Sequence, residues 1–545
     1  MKTKNLILVV LIISLFGMFN SCSKPDQHLK TIPSTANLVG SVDLLSTAKK
    51  AQLYDLDQYA FYNDMMKKLQ EENPELHSYL SEIISNPLKT GIRYREDMFM
   101  FAEDLNSNPH MGVTMSIRNS EDFETFITNI LEKTKSEMVI TKKKGLSYAT
   151  EKNMMIAYDN EKMLMVAHEG SGEDELFSYI KTLMNQTTED AILSHSDFKK
   201  FKADKKDFNF WLASDALPQT PQTAMIKTQI PFETEGNYLH AHMNFEDEGI
   251  FSTAKWTFNE EIQAILDDYD FSRKFNTELL NYLPKDNYAT IGFGLNPDAI
   301  YKWLNDIPSY KNMLDQANKN APLSAEKVVN SLKGDIIVAM HGFMLPDEAE
   351  TTSPGAQNQN VMPYASAIVS MNNSDVYDQI VNNMLPKGLF EEMNTYYRGK
   401  FAGFYVYFGL YNNNLIVTND KNVIKAATDG GLEENVGKTE LADIFNHSTF
   451  MYMNMDWDQY PDGLKDMMEK NMSNAEFENF RSVTNYTKQM QVYEENIGEG
   501  KMEFLMKNND GNALHTIMQM IDEQRMKMDK KEEEKEDKLA EVIQE

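Results

Sequence analysis

Ser116-Ile117-Arg118-Asn119-Ser120-Glu121 and Ser370-Met371-Asn372-Asn373-Ser374-Asp375 are one stretch written twice, about 250 residues apart. An apolar strand precedes each, around Val113 and Ile368. Helical spacing follows each: Phe123, Phe126, Ile127 and Ile130 match Tyr377, Ile380, Val381 and Met384. Ser120 and Ser374 are the expected caps, with an acid in the first turn where the helix dipole favours it.

Four more pieces recur in the same order. Asn37–Asp43 matches Thr290–Asn296 as a strand entering a helix, with Asp43 and Asn296 as caps. The helical sequence Leu44 to Leu69 answers Asp298 to Leu304 and beyond. The hairpin Met155–Tyr158, Met163–Ala167 answers Tyr405–Leu410, Leu415–Thr418, with Asp and Asn at both turns. Phe208–Asp215 matches Thr449–Asp456. A closing hairpin is expected in each copy: Tyr238–Phe245 with Ile250–Phe258, and Lys501–Lys507 with Ala513–Met518. Helices alternate with hairpin-joined strands. The expected fold is therefore α+β: two tandem copies of a mixed or antiparallel sheet with helices, arising by internal duplication. The copies span 31–284 and 285–520, with a charged tail at 521–545. The polar loops Pro346 to Met362 and Pro218 to Gly236 read as connectors, the first longer than its counterpart Asn106 to His110.

The 545 residues carry 53 Lys plus Arg against 83 Asp plus Glu, a net charge of −30, with a single cysteine. Such acidity repels phosphate, so no nucleic-acid partner is expected. One cysteine rules out a disulfide scaffold. Residues 1–21 read as an export signal: Lys2 and Lys4, then an apolar run from Leu6 to Phe19 too short for an ordinary span. Cys22, just after it, is the expected lipidation site, and 22–30 would be a tether. The membrane partner would be reached through that lipid. Ser23 after the cysteine points to the outer membrane.

Ile32-Pro33-Ser34-Thr35-Ala36, then Val42-Asp43-Leu44-Leu45, lie shortly after that cysteine. With the repeat and the length, they resemble a family of uncharacterised lipoproteins of Bacteroidota, a domain of unknown function. The resemblance implies an envelope location and no assigned catalytic residue.

No motif assembles a coherent catalytic set. Ser46-Thr47-Ala48-Lys49, Lys89-Thr90-Gly91 and Tyr158-Asp159-Asn160 mimic penicillin-interacting enzymes, in the wrong order. His240 and His242 share a strand face and could hold a metal with Glu246 or Asp247; a polar sheet face is the plainer reading. His168, His195, His341 and His447 have no ligand spacing. Asp456, Asp458, Asp462 and Gly463 echo a calcium loop without the closing Glu, because Met467 stands there. Gly498-Glu499-Gly500 and Gly292-Phe293-Gly294 lack the third glycine of a phosphate-binding turn. There are 36 methionines, some alternating along strands (Met163 and Met165; Met451, Met453 and Met455). They serve a core, a soft-metal site or an adaptable apolar groove. Neither cofactor nor catalytic or metal residue is assigned. The expected function is a non-enzymatic, lipid-anchored binding or assembly module, with an envelope protein as candidate partner. The alternative is an envelope hydrolase working on a glycan or peptide polymer through cleft carboxylates.

Overall fold

The structure is a computed structural model that describes residues 26–105, 109–143, 145–168, 170, 172–214, 233, 235–344, 362–385, 389–401, 404–507 and 511–527. Cys22, Asp215, the loop 345–361 and the charge run Asp529 to Lys538 lie outside the described residues.

The fold is α+β. The chain forms two compact units: residues up to 259 together with 508 onward, and 260–507. In the first, the strands are Leu38–Val42 (β1), Met98–Glu103 (β2), His110–Ser116 (β3), Thr141–Lys143 (β4), Leu146–Glu151 (β5), Met154–Tyr158 (β6), Lys162–His168 (β7), Phe208–Ala213 (β8), Tyr238–Phe245 (β9) and Gly249–Thr257 (β10). They pair antiparallel in the order β4-β5-β6-β7-β3-β2-β1-β8-β9-β10.

The second unit holds Ala289–Gly294 (β11), Leu332–Met344 (β12), Met362–Met371 (β13), Phe390–Glu392 (β14), Tyr397–Phe401 (β15), Phe404–Tyr411 (β16), Asn414–Thr418 (β17), Thr449–Asn454 (β18), Thr487–Asn496 (β19) and Glu499–Met506 (β20). Its order is β14-β15-β16-β17-β13-β12-β11-β18-β19-β20, again antiparallel. Strand for strand, the two orders are the same.

Several expectations need correction. The closing hairpin of the second unit is β19–β20, and 513–527 is helical instead of a returning strand. That helix belongs to the first unit, where the Tyr59 hydroxyl meets His515 Nδ1 (2.8 Å) and Asp522 accepts from the Ala60 and Phe61 amides. The boundary also differs from 284/285, because Phe275, Leu279, Leu280 and Leu283 fill the second unit's core. The cap of the helix Ser120–Lys133 is Asn119, which accepts from two amides, one residue before the expected serine; Ser374 stands at the expected cap of Asp375–Gln379, although the Asp375 amide donates to Asn373 and not to it. Val42 pairs with Met98 and Phe293 with Ile336. The register thus equates Val42 with Phe293, two residues away from the alignment drawn on the caps.

In each unit one sheet face carries a sealed core. Val39, Phe99, Phe101, Leu164, Val166 and Trp211 pack under the helices Glu173–Asn185 and Ser196–Ala203. Ile337, Ile368, Ile416, Phe450 and Tyr452 pack under Phe445, Val423 and Ile424. Gly292 is obligatory there, because a Cβ would lie 2.2 Å from the Phe450 ring. The opposite faces differ between the units.

Candidate functional site: an open apolar sheet face

In the first unit the helices Pro74–Ser85 and Ser120–Lys133 close one part of the opposite face. Val42, Met98, Met115, Met163 and Tyr158 form one row of cross-strand neighbours, and all are buried. Phe123, Phe126, Ile127 and Ile130 come down on them from the second helix and are buried too.

The same row in the second unit reads Phe293, Ile336, Val369, Leu415 and Leu410. Every one is part-exposed. The segment matching Ser120–Lys133 is a short helix, Asp375–Gln379, continued by a π-helical turn, Ile380–Met384; neither contains a buried residue. Tyr377 reaches the Phe408 ring (6.4 Å), so this segment lies on the same face without sealing it. The helix Pro297–Asp306, between β11 and β12, buries none of its side chains either.

The next row along is apolar from end to end: Met502, Val492, Met451, Ile291, Val338, Ala367, Val417, Phe408 and Tyr397, one from each of nine strands. At about 4.8 Å per strand it spans roughly 38 Å. Ile291, Val338, Val417, Phe401 and Met453 are 37–43% exposed, and all five belong to this face. Met100, Met111 and Phe210, the exposed large apolar strand residues of the first unit, also share one face, the equivalent one. Side chains alternate along a strand, so this distribution fixes an apolar face. The open area of those five residues is on the order of 300 Å², comparable with the largest apolar patches of ordinary monomers. Covering it would recover about 8 kcal/mol at about 25 cal/mol per Å².

The residues singled out in the sequence lie elsewhere. Ser46 donates to Asp207 (2.6 Å), and Lys50, not Lys49, completes that site (2.6 Å). The Ser-x-x-Lys reading therefore gives way to a buried anchor of the helix Leu44–Lys50. Thr90 bonds the Tyr94 hydroxyl, and Asp159 caps its own hairpin turn through the Glu161 and Lys162 amides. His240 and His242 do share a face, but it is covered. His240 Nε2 meets Asp197 (2.6 Å) and His242 Nδ1 meets Asn209 (2.8 Å), instead of Glu246 or Asp247. Burial pushes the Asp197 carboxyl up, yet the bonds from His240 and Trp211 outweigh it and hold the group below its ordinary range. Burial lowers His242.

His195 meets the Ser34 carbonyl, His341 the Ser366 hydroxyl, and His447 the Glu494 carbonyl; His168 stacks on His110. Asp456 and Asp458 both pair with Lys507, so the calcium-like spacing is an ion-paired corner. Among the described residues no cluster of three metal-ligating side chains forms. No helix among them is long and apolar enough to cross a membrane.

A polar groove of about 700 Å³ lies in the first unit, between the helices Pro74–Ser85 and Ser120–Lys133. Its carboxylates include Glu82, paired with Lys89, and Asp122, paired with Arg118.

The open face was legible only as the third reading of the methionines. Met453 is exposed and Met451 part-exposed, whereas Met163 is core. Alternating apolar positions state which residues share a face, but not whether helices close over it.

The sequence profile of one family, a domain of unknown function designated DUF4836, matches residues 29–514. No curated protein matches the chain. Solved structures of TP0453 in crystal forms I, IV and III are similar at 9%, 10% and 10% identity. The matches cover 46%, 44% and 47% of this chain and 86%, 83% and 90% of theirs, each with a TM-score of 0.24.

Proposed function

We propose that this chain, which belongs to the DUF4836 family and so inherits no assigned activity, is a non-enzymatic, lipid-anchored envelope protein whose second unit docks an apolar partner. The observation that carries the reading is the unsealed row Phe293, Ile336, Val369, Leu415, Leu410, set against its buried counterpart in the first unit. A large apolar face that the described residues leave open is suited to an interaction partner. The identical strand orders support an origin by internal duplication, in which one copy kept a closed helical layer and the other gave it up. Lipidation at Cys22 holds the protein at the outer membrane.

Two experiments test this. Cys22→Ala is expected to move the protein from the membrane fraction to the soluble one; continued sedimentation contradicts the anchor. Benzoylphenylalanine placed at Val338 is expected to form a covalent adduct on irradiation of the native envelope. The same probe at Tyr54, 71% exposed and off the sheet, is expected to form none. No adduct at Val338 contradicts docking on this face.

A further inference from the structure

We propose that the lysine-bearing side of the helix Ser196–Ala203 rests on the anionic headgroups of the membrane that holds Cys22, and so sets the orientation of the first unit. The proposal goes beyond the docking reading and rests only on the lipid anchor. The chain is committed to the first unit within a few residues of that anchor. His28, Leu29, Thr31 and Ile32 are each at most 1% exposed. The Thr31 hydroxyl donates to that of Thr114 (2.9 Å), and the Ile32 carbonyl accepts from the Ile192 amide (2.9 Å). Asp26 pairs with Lys202 on the helix. Four residue steps separate Asp26 from Cys22, a reach of roughly 14 Å at full extension. The lipid chains on Cys22 start at the edge of the hydrocarbon, and the headgroup layer takes up about 5–7 Å of that reach. Asp26 therefore lies within about 9 Å of the headgroup surface, close to one Debye length at physiological salt.

The helix that Asp26 meets is cationic on its outer side. Lys199, Lys200, Lys202, Lys205 and Lys206 fall within one short stretch. Phe198 and Phe201 are buried, which turns Lys199 and Lys200 to solvent. Lys199 stands one turn before Lys202, on the same side of the helix. Asp197 does not offset them, because it is turned inward to His240 and Trp211. Lys205 is spent on Asp43 (2.9 Å) and Asp97 (2.5 Å), and Lys206 lies 4.0 Å from the exposed Asp204. Lys199 and Lys200 form no ion pair among the described residues. Two unpaired cations on the helix that is tied to the anchored end match a surface of lipid phosphates. Each lysine beside such a surface strengthens the contact about fivefold. The acyl chains supply the attachment, and the lysines choose which side of the first unit faces the bilayer.

The test uses the full-length lipidated protein carrying Ala203→Cys, an exposed position on the same helix, labelled with a fluorophore. Cys22 is blocked by its lipid, so the label goes to the new thiol. In vesicles of phosphatidylethanolamine and phosphatidylglycerol, a spin label on the lipid headgroups is expected to quench the fluorophore. Lys199→Glu combined with Lys200→Glu is expected to reduce the quenching at least fivefold. The melting temperature and the fraction of protein floating with the vesicles are expected to stay unchanged. Leaving out phosphatidylglycerol is expected to reduce the quenching of the unmutated helix in the same way, which needs no variant to fold. Quenching that survives both changes overturns the proposal and leaves the anchor standing. So does floating protein whose label is never quenched. Protein that does not float with vesicles of either composition overturns the anchor, and the proposal with it.

Discussion

Ile130 and Met384 follow the same strand in the shared strand order of the two units, yet Ile130 is 2% exposed and Met384 is 43% exposed. The same apolar pattern is thus a core residue in one unit and a surface residue in the other. Packing energy should follow that difference. Truncating Phe126 to Ala removes a buried ring and is expected to cost about 3–5 kcal/mol. Ile380→Ala, at the matching but part-exposed position, is expected to cost less than about 1.5 kcal/mol. Denaturant unfolding of the two variants measures the contrast, and similar losses would mean that the second unit's helical layer is sealed after all.

Asp335 is fully buried, pairs with Arg273 and accepts from the Asn276 amide (2.9 Å) and the Ser370 hydroxyl (2.9 Å). It ties the segment before the second unit's core to β12 and β13. Asp335→Ala strands a cation and two donors and is expected to destabilise by about 3–5 kcal/mol. Thermal unfolding checks this; a loss below about 1 kcal/mol would remove Asp335 from the anchoring role.

Asp97, the first-unit counterpart of Asp335, behaves differently. Burial pushes its carboxyl up from 3.8 to about 6, against the pull of Lys205 (2.5 Å). The folded state therefore holds this proton more tightly than the unfolded chain does. Its contribution is present at acid pH and is lost as pH rises between about 4 and 6, by roughly 3 kcal/mol at most. Asp97→Asn is expected to flatten that part of the stability profile, read as unfolding free energy at intervals from pH 4 to pH 7. An unchanged slope would mean that Lys205 fully compensates the burial.

Asp522 accepts from the Ala60 and Phe61 amides at the start of the helix Ala60–Glu72, acting as a cap supplied from far along the chain. Asp522→Ala is expected to cost about 0.5–2 kcal/mol, the range of helix caps. It should also speed amide exchange at Ala60 and Phe61, which hydrogen exchange reads directly.

Much of the fold was legible in the sequence because it rests on local chemistry. The hairpin at Asp159 and the one at Asn412-Asn413, where both residues have positive φ, follow from turn residues alone. The strand-to-helix step after Val113 and Ile368 follows from periodicity. Non-local pairing decided what was missed. The run after Gly511 has strand-like composition, but its fate was set by Asp522 and His515 meeting a helix more than 450 residues earlier. The candidate site was hidden for a related reason. Ile336 and Met98 read alike as alternating apolar residues, and only the helices above them separate a core from an open face.

Thiol labelling tests that separation most directly, because Cys22 is the lone native cysteine and can be replaced. In a folded, soluble Cys22→Ala background, Ile336→Cys and Leu415→Cys are compared with their counterparts Met98→Cys and Met163→Cys. The account predicts maleimide labelling at least tenfold faster at the second-unit pair. Equal protection of all four cysteines would contradict an open apolar face in the second unit.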